Sequence, residues 1–333
     1  MEICGGQTHA ILKYNLPEIL PSFINLIHGP GCPVCVTPLG MIDKALALAA
    51  TDGVILATFG DMARVPGSKS DLLRARAEGA DVRVVYSPLD ALQTAIDNPK
   101  KKVVFFAIGF ETTAPANALS VIKASELNIG NYSILCAHVL VPPAVTALLS
   151  TGNSRIDALL APGHVCAVTG YEQYLPFSQK FGIPVAVTGF EPVDLMKGIL
   201  EVVCQLEEKR HEVVNCYERT VRREGNLKAL SSMYEVFEVC DRKWRGIGLL
   251  PGSGLSVRDK YTRFDAEKIF DLTAIDADEP SICIAGQVLQ GIARPSECRA
   301  FGDLCTPEHP LGAPMVSSEG ACSAYFRYQN QKP

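Results

Sequence analysis

A chain of 333 residues is long enough for two or three domains, each burying its own core. Its 47% hydrophobic and 20% charged residues describe a soluble globular protein, and a net charge of -5 without any Lys/Arg cluster interleaved with aromatics argues against nucleic-acid binding. Met1-Glu2-Ile3-Cys4 lacks the basic region and apolar core of a secretory signal, and the longest proline-free apolar run, near Val103 to Phe110, is too short to span a bilayer; the expected location is the cytoplasm.

In that reducing compartment, twelve cysteines suit metal sites, redox sites and buried fillers better than a disulfide framework. The first motif, Cys4-Gly5-Gly6-Gln7-Thr8-His9, puts a cysteine and a histidine on a glycine-permitted turn. The apolar run Phe23-Ile24-Asn25-Leu26-Ile27 reads as a buried strand, and Leu39 to Leu46 reads as a helix. Between them, His28-Gly29-Pro30-Gly31-Cys32-Pro33-Val34-Cys35 carries two thiols on a strand-to-helix turn, where the helix amino terminus favours a thiolate. Such a spacing fits a redox pair, half a zinc site or coincidence, and alone does not choose among them.

Further along, β runs at Gly53–Phe59, Val82–Tyr86, Val103–Phe110, Tyr132–Leu140, Ile156–Leu160 and Pro184–Thr188 alternate with helical patterns at 70–79, 90–96, 116–127, 143–149 and 193–211. Apolar strands alternating with helices predict an α/β fold with parallel sheets covered on both faces. In such sheets ligands bind beyond the carboxyl ends of the strands. The unusual residues collect there: Cys32, Cys35, Asp61, Glu111, Thr112, Thr113, His138, His164 and Glu191. His138 lies inside an apolar run and reads as a core histidine. Gly-Phe-Glu occurs at 109–111 and again at 189–191, which suggests two related halves whose ends face a shared cleft. No Gly-x-Gly-x-x-Gly and no Gly-x-x-x-x-Gly-Lys-Ser/Thr follows a strand, which argues against a nucleotide-binding enzyme.

Boundaries are expected near 112 and 225, giving segments 1–112, 113–224 and 225–333. The last segment opens on a helix-like run, Ala229 to Val239, then turns to short β runs with frequent Gly and Pro. It holds Cys283, Cys298, Cys305 and Cys322 in a region with too little apolar sequence for its own core, so a metal could supply the missing constraint. Four thiolates suit tetrahedral zinc or a 4Fe–4S cluster, and their spacing leaves both open. Cys136, Cys166, Cys204, Cys216 and Cys240 read as buried fillers.

Taken together, seven motifs in order resemble the HypD family of maturation factors for [NiFe] hydrogenases. They are Cys4 to His9, His28 to Cys35, Gly60-Asp61-Met62, Gly109 to Pro115, Pro162-Gly163-His164-Val165, Gly189 to Asp194, and Cys305 to Glu308 running on to Met315 to Gly320. The resemblance implies two parallel-sheet α/β lobes around a cleft plus a smaller iron–sulfur domain, serving as a scaffold for assembly of the Fe(CN)2CO group. It implies that Cys4 is an iron ligand shared with a HypC-type small chaperone, and that a HypE-type partner delivers cyanide as a thiocyanate. It implies that Cys32 and Cys35 are redox-active or iron-contacting, and that Cys283, Cys298, Cys305 and Cys322 hold a 4Fe–4S cluster. Since a dithiol/disulfide next to a cluster could move two electrons in single steps, the pair is expected to exchange electrons with it.

His9 is then expected beside Cys4 as ligand or proton donor. Glu111, Thr112, Thr113, His164 and Glu191 are expected to fix cyanide nitrogens or orient the thiols, with the hydroxyls and His164 the better donors. The rival reading is a stand-alone, cluster-fed disulfide reductase, which would leave Cys4 and His9 idle. Two departures stand out: Gln7 replaces the histidine of many members, and the first motif begins almost at residue 1, where members carry some tens of residues.

Overall fold

The computed structural model describes residues 1–151, 155–272, 275, 277 and 282–329. The fold is mixed α/β with parallel sheets, as the strand and helix patterning predicts. It divides into two compact units, each assembled from separated stretches of chain. One comprises Val36–Leu140 and Lys228–Pro280; the other, here the cysteine unit, comprises Met1–Cys35, Val141–Leu227 and Ser281–Pro333.

In the first of these, strands β1 (Val54–Thr58), β2 (Val82–Val84), β3 (Lys102–Gly109) and β4 (Tyr132–His138) form a parallel sheet in the order β2-β1-β3-β4. Every residue of β1 and β4 is buried, and every residue of β3 after Lys102, because helices cover both faces. Helices Pro88–Asp97 and Ala114–Glu126 each start with a proline in the first turn, where the missing N–H is harmless, and supply Ala91, Leu92, Ala118 and Val121 to the core.

The cysteine unit holds a second parallel sheet, β5 (Leu159–Pro162), β6 (Val185–Thr188) and β7 (Val213–Asn215), in the order β5-β6-β7. Helix Pro192–Glu207 packs Ile199 and Val202 against Leu160 and Ala186. Glu2 bridges Leu160 on one side and His28 on the other, which ties the amino terminus to this sheet. The remaining strands, β8 (Phe237–Trp244) and β9 (Gly248–Val257), form an antiparallel hairpin in the first unit, with a register shift between Cys240 and Arg242. Among the described residues no helix is long and apolar enough to cross a membrane.

Several local expectations are corrected. Residues 23–27 form no strand: Phe23 is 80% exposed, and only His28 makes an isolated bridge. The run's apolar residues do not share one buried face. Residues 5–13 are a helix rather than a turn, begun by Cys4, whose carbonyl accepts the Gln7 and Thr8 amides. The Cys-x-x-Cys leads into a one-turn helix, Pro33–Val36, ahead of Leu39–Ala49. The helix expected over 229–239 ends at Val236 and passes directly into β8, and the strand expected over 156–160 lies at Leu159–Pro162. Strand β7 was not anticipated, being three half-buried residues in a polar stretch.

Candidate sulfur-centred site

Cys4 is the N-cap residue of helix Gly5–Lys13, extended at φ -144° and ψ 125°, with its side chain half-buried. Two glycines make its placement possible. A Cβ on Gly31 would sit 2.2 Å from the Cys4 nitrogen and 2.3 Å from its Cα, so the backbone of Cys4 lies directly against the loop that carries Cys32. A Cβ on Gly5 would meet the Cβ and carbonyl oxygen of Glu319, each at 2.6 Å, and the Cβ of Cys32 at 3.1 Å. The Gly5 N–H donates to the Gly31 carbonyl at 2.8 Å and closes the junction. Burial, followed by the charge of Glu319, pushes the Cys4 thiol up to about 12, against the opposing pull of the Gln7 and Gly6 amides.

Cys32 and Cys35 are joined in a disulfide and are 3% and 0% exposed. The Cys35 N–H donates to Cys32 Sγ at 3.2 Å. At the other edge of Cys4, a Cβ on Gly6 would lie 3.2 Å from the Phe190 ring and 3.7 Å from Cys4 Sγ. His164 stacks on Phe190 with ring centroids 3.6 Å apart, and burial lowers its pKa. Phe190, which sequence reasoning did not single out, therefore sits between the imidazole of His164 and the Cys4 turn. Its position inside the second Gly-Phe-Glu was the available signal.

His9 does not face this junction through a free nitrogen. Its Nδ1 lies 3.0 Å from the Ser318 carbonyl, which can only accept, so Nδ1 carries the hydrogen; Nε2 then accepts from the Tyr328 hydroxyl at 3.4 Å. Gln7 is fully buried, and its Nε2 donates to the Ala161 carbonyl at 3.1 Å and to Thr188 Oγ1 at 2.6 Å. It fastens the helix to the ends of β5 and β6. Glu191 is exposed and pairs with Arg219 at 3.2 Å, and the same guanidinium also grips Asp194.

The four late cysteines line one cavity in the cysteine unit together with Phe301, Met315 and Gly312. A Cβ on Gly312 would lie 2.5 Å from Cys283 Sγ, so a side chain there would have to displace that sulfur. The Leu311 N–H donates to Cys305 Sγ at 3.3 Å. Burial, then the neighbouring Cys283, Cys305 and Cys298, raise the Cys322 thiol. Among the described residues no group of three or more His, Cys, Asp or Glu is arranged to hold a single metal ion.

Glu111, Thr112 and Thr113 belong to the other unit, just beyond β3. There Glu111 is buried, Thr112 is exposed, and Thr113 heads helix Ala114–Glu126 with its hydroxyl 3.3 Å from the Ile108 and Phe110 carbonyls. His138 is fully buried between Asn117 and the Gly109 carbonyl, and burial pushes it down to about 4, as a core histidine requires.

A family model, HypD, described as "Hydrogenase formation hypA family", matches residues 1–329. The chain is 48% identical over 339 residues to the hydrogenase maturation factor HypD of Azotobacter vinelandii, covering 100% of this chain and 89% of that protein. It is 47% identical to HypD2 of Bradyrhizobium diazoefficiens, covering 98% and 88%, and 45% identical to HypD of Escherichia coli, covering 100% and 89%.

Proposed function

The chain belongs to the HypD family of hydrogenase maturation factors, and on that premise we propose that it is the scaffold on which the Fe(CN)2CO group of [NiFe] hydrogenase is assembled. The observation that carries the reading is the glycine-permitted junction at which Cys4 lies against the Cys32 loop and Glu319, three residues before Cys322. Low-spin iron bearing cyanide and CO is a soft cargo, and thiolate suits it. Cys4 holds the iron while a HypC-type chaperone supplies a second sulfur and a HypE-type partner delivers cyanide. His164, which reaches the Cys4 turn only through the Phe190 ring it stacks on, remains proposed as a hydrogen-bond donor to the cargo or its partners. His9, whose nitrogens are engaged by Ser318 and Tyr328, orients the helix instead.

The four late cysteines fit a 4Fe–4S cluster. Among the described residues they are the only ionisable groups lining an otherwise apolar cavity, and four thiolates converging on one apolar cavity are the donor set such a cluster takes. When bound, the cluster supplies single electrons. Reducing the Cys32–Cys35 disulfide takes two electrons and two protons and frees two thiols. With both residues almost wholly buried, a partner protein's thiol cannot reach the disulfide without the chain around it opening, which weighs against a stand-alone reductase. Glu111, Thr112 and Thr113 remain proposed as polar contacts to the cargo or its partners.

Infrared spectra of the anaerobically purified chain with its small partner test the proposal. Bands of iron-bound cyanide and CO that vanish in Cys4→Ala are expected; bands that persist in Cys4→Ala, or that never occur in the parent, overturn it.

A further inference from the structure

Glu2 is a carboxylate with a side chain only 1% exposed, and every donor around it comes from the sulfur-bearing segments. Its Oε2 accepts the Cys4 N–H at 2.9 Å. Its Oε1 accepts the Thr8 hydroxyl and, at 2.8 Å, His28 Nδ1. With Oε1 as the acceptor, Nδ1 is the His28 nitrogen that carries the hydrogen. The backbone is held as firmly: the Glu2 N–H donates to the Ile27 carbonyl at 3.0 Å and the Glu2 carbonyl accepts the Gly29 N–H at 2.8 Å. The His28 ring then packs edge-on against Tyr325, with centroids 5.4 Å apart at 86°. Tyr325 lies one helical turn beyond Cys322 on helix Ala321–Tyr328.

Each member of this buried knot is thus a short step along the chain from a different sulfur. Glu2 precedes Cys4 by two residues, His28 precedes Cys32 by four, and Tyr325 follows Cys322 by three. We infer that Glu2, with His28 and Thr8 as its donors, is the positioning group that fixes the iron-holding Cys4 turn against the disulfide loop and the cluster helix; this rests on the scaffold reading above. The physical reason is that a buried polar group must keep its hydrogen bonds, so a segment that supplies a donor cannot drift without leaving the carboxyl oxygens unpaired. An apolar contact at the same place would let the segments slide.

His28→Phe keeps a ring against Tyr325 but removes the donor, whereas His28→Asn puts an amide N–H where Nδ1 stood. The first readout is the rate at which iodoacetamide alkylates Cys4 in the chain purified without iron cargo, followed by mass spectrometry. His28→Phe should raise that rate roughly 10- to 100-fold, the change expected when a buried acceptor loses one hydrogen bond, while His28→Asn stays near the parent. The second is the cyanide and CO stretching region of the loaded chain, where His28→Phe should broaden or shift the bands and His28→Asn should not. Thr8→Val, which removes a different donor at nearly constant volume, is the substitute if His28→Phe fails to fold, and should raise the alkylation rate in the same direction. Unchanged alkylation in His28→Phe or in Thr8→Val, or equal effects of the Phe and Asn replacements, overturns the inference. A parent chain that never carries the infrared bands would defeat the scaffold reading alone, and alkylation of Cys4 would still decide the role of Glu2.

Discussion

Replacing Gly31 by alanine is the sharpest single perturbation of the site. The added methyl would lie 2.2–2.3 Å from the nitrogen and Cα of Cys4 and 2.3 Å from the carbonyl carbon of Ile3, all backbone atoms that cannot rotate away. The junction must therefore open, and the 2.8 Å hydrogen bond from the Gly5 N–H to the Gly31 carbonyl goes with it. Overpacking of this kind costs about 1–3 kcal/mol, and the lost backbone bond adds about 1 kcal/mol, for a total of about 2–4 kcal/mol. At 1.4 kcal/mol per decade, the population in which Cys4 has parted from the Cys32 loop rises roughly 30- to 1,000-fold. Alkylation of Cys4, which is half-buried in the folded chain, reads that population. Gly130→Ala serves as the control, since a Cβ there meets nothing within 4 Å. If Gly31→Ala alkylates and melts like the parent, the close approach of the two loops is not what holds Cys4, and the reasoning fails.

Other outcomes follow from separate parts of the molecule. His138 is held near pKa 4 by burial, against 6.5 in an unfolded chain, so below pH 6.5 the unfolded state takes up a proton that the folded state refuses. Urea midpoints should therefore fall between pH 6.5 and 4, by up to about 3 kcal/mol of stability, and His138→Gln should flatten that slope; parallel curves for the two proteins would contradict the assignment. Maleimide should leave Cys32 and Cys35 unmodified in the native chain and in the unfolded, unreduced chain, and should label both only after reduction; labelling without reductant would remove the disulfide from the account. Gly312→Ala pushes a methyl to 2.5 Å from Cys283 Sγ and should lower bound iron and the visible absorption of a cluster, while far-ultraviolet circular dichroism stays as in the parent. Equal iron per chain in the two proteins would count against the cavity as the cluster's seat.

Much of the fold was legible because its signals are local. β1, β3, β4 and β6 are runs of apolar residues broken by helical patterns, and a parallel sheet covered on both faces needs just that. The cysteines and histidines of the candidate site were legible for the same reason, since sulfur and imidazole are conspicuous wherever they fall. What misled was a local signal whose meaning depends on distant neighbours. Phe23–Ile27 is apolar yet builds no strand, and Gly5-Gly6 suggested a turn while sitting inside a helix, because their lack of a Cβ is used to admit Glu319 and Phe190, more than 180 residues away.

By itself, then, the sequence determined the parallel α/β elements and the inventory of candidate sulfur and imidazole side chains, because backbone preference and apolar patterning act over a few residues. Only the tertiary structure decided that residues 1–35, 141–227 and 281–333 make one unit, with Cys4, the Cys32–Cys35 disulfide and the four late cysteines all inside it. It also decided that Gln7 is spent on β5 and β6, and that the buried Glu2 carboxyl is hydrogen-bonded to both the Cys4 N–H and His28. The reason is that backbone contact at 2–3 Å and the pairing of a buried carboxylate are properties of surfaces brought together, and no periodicity along the chain records which surfaces those are.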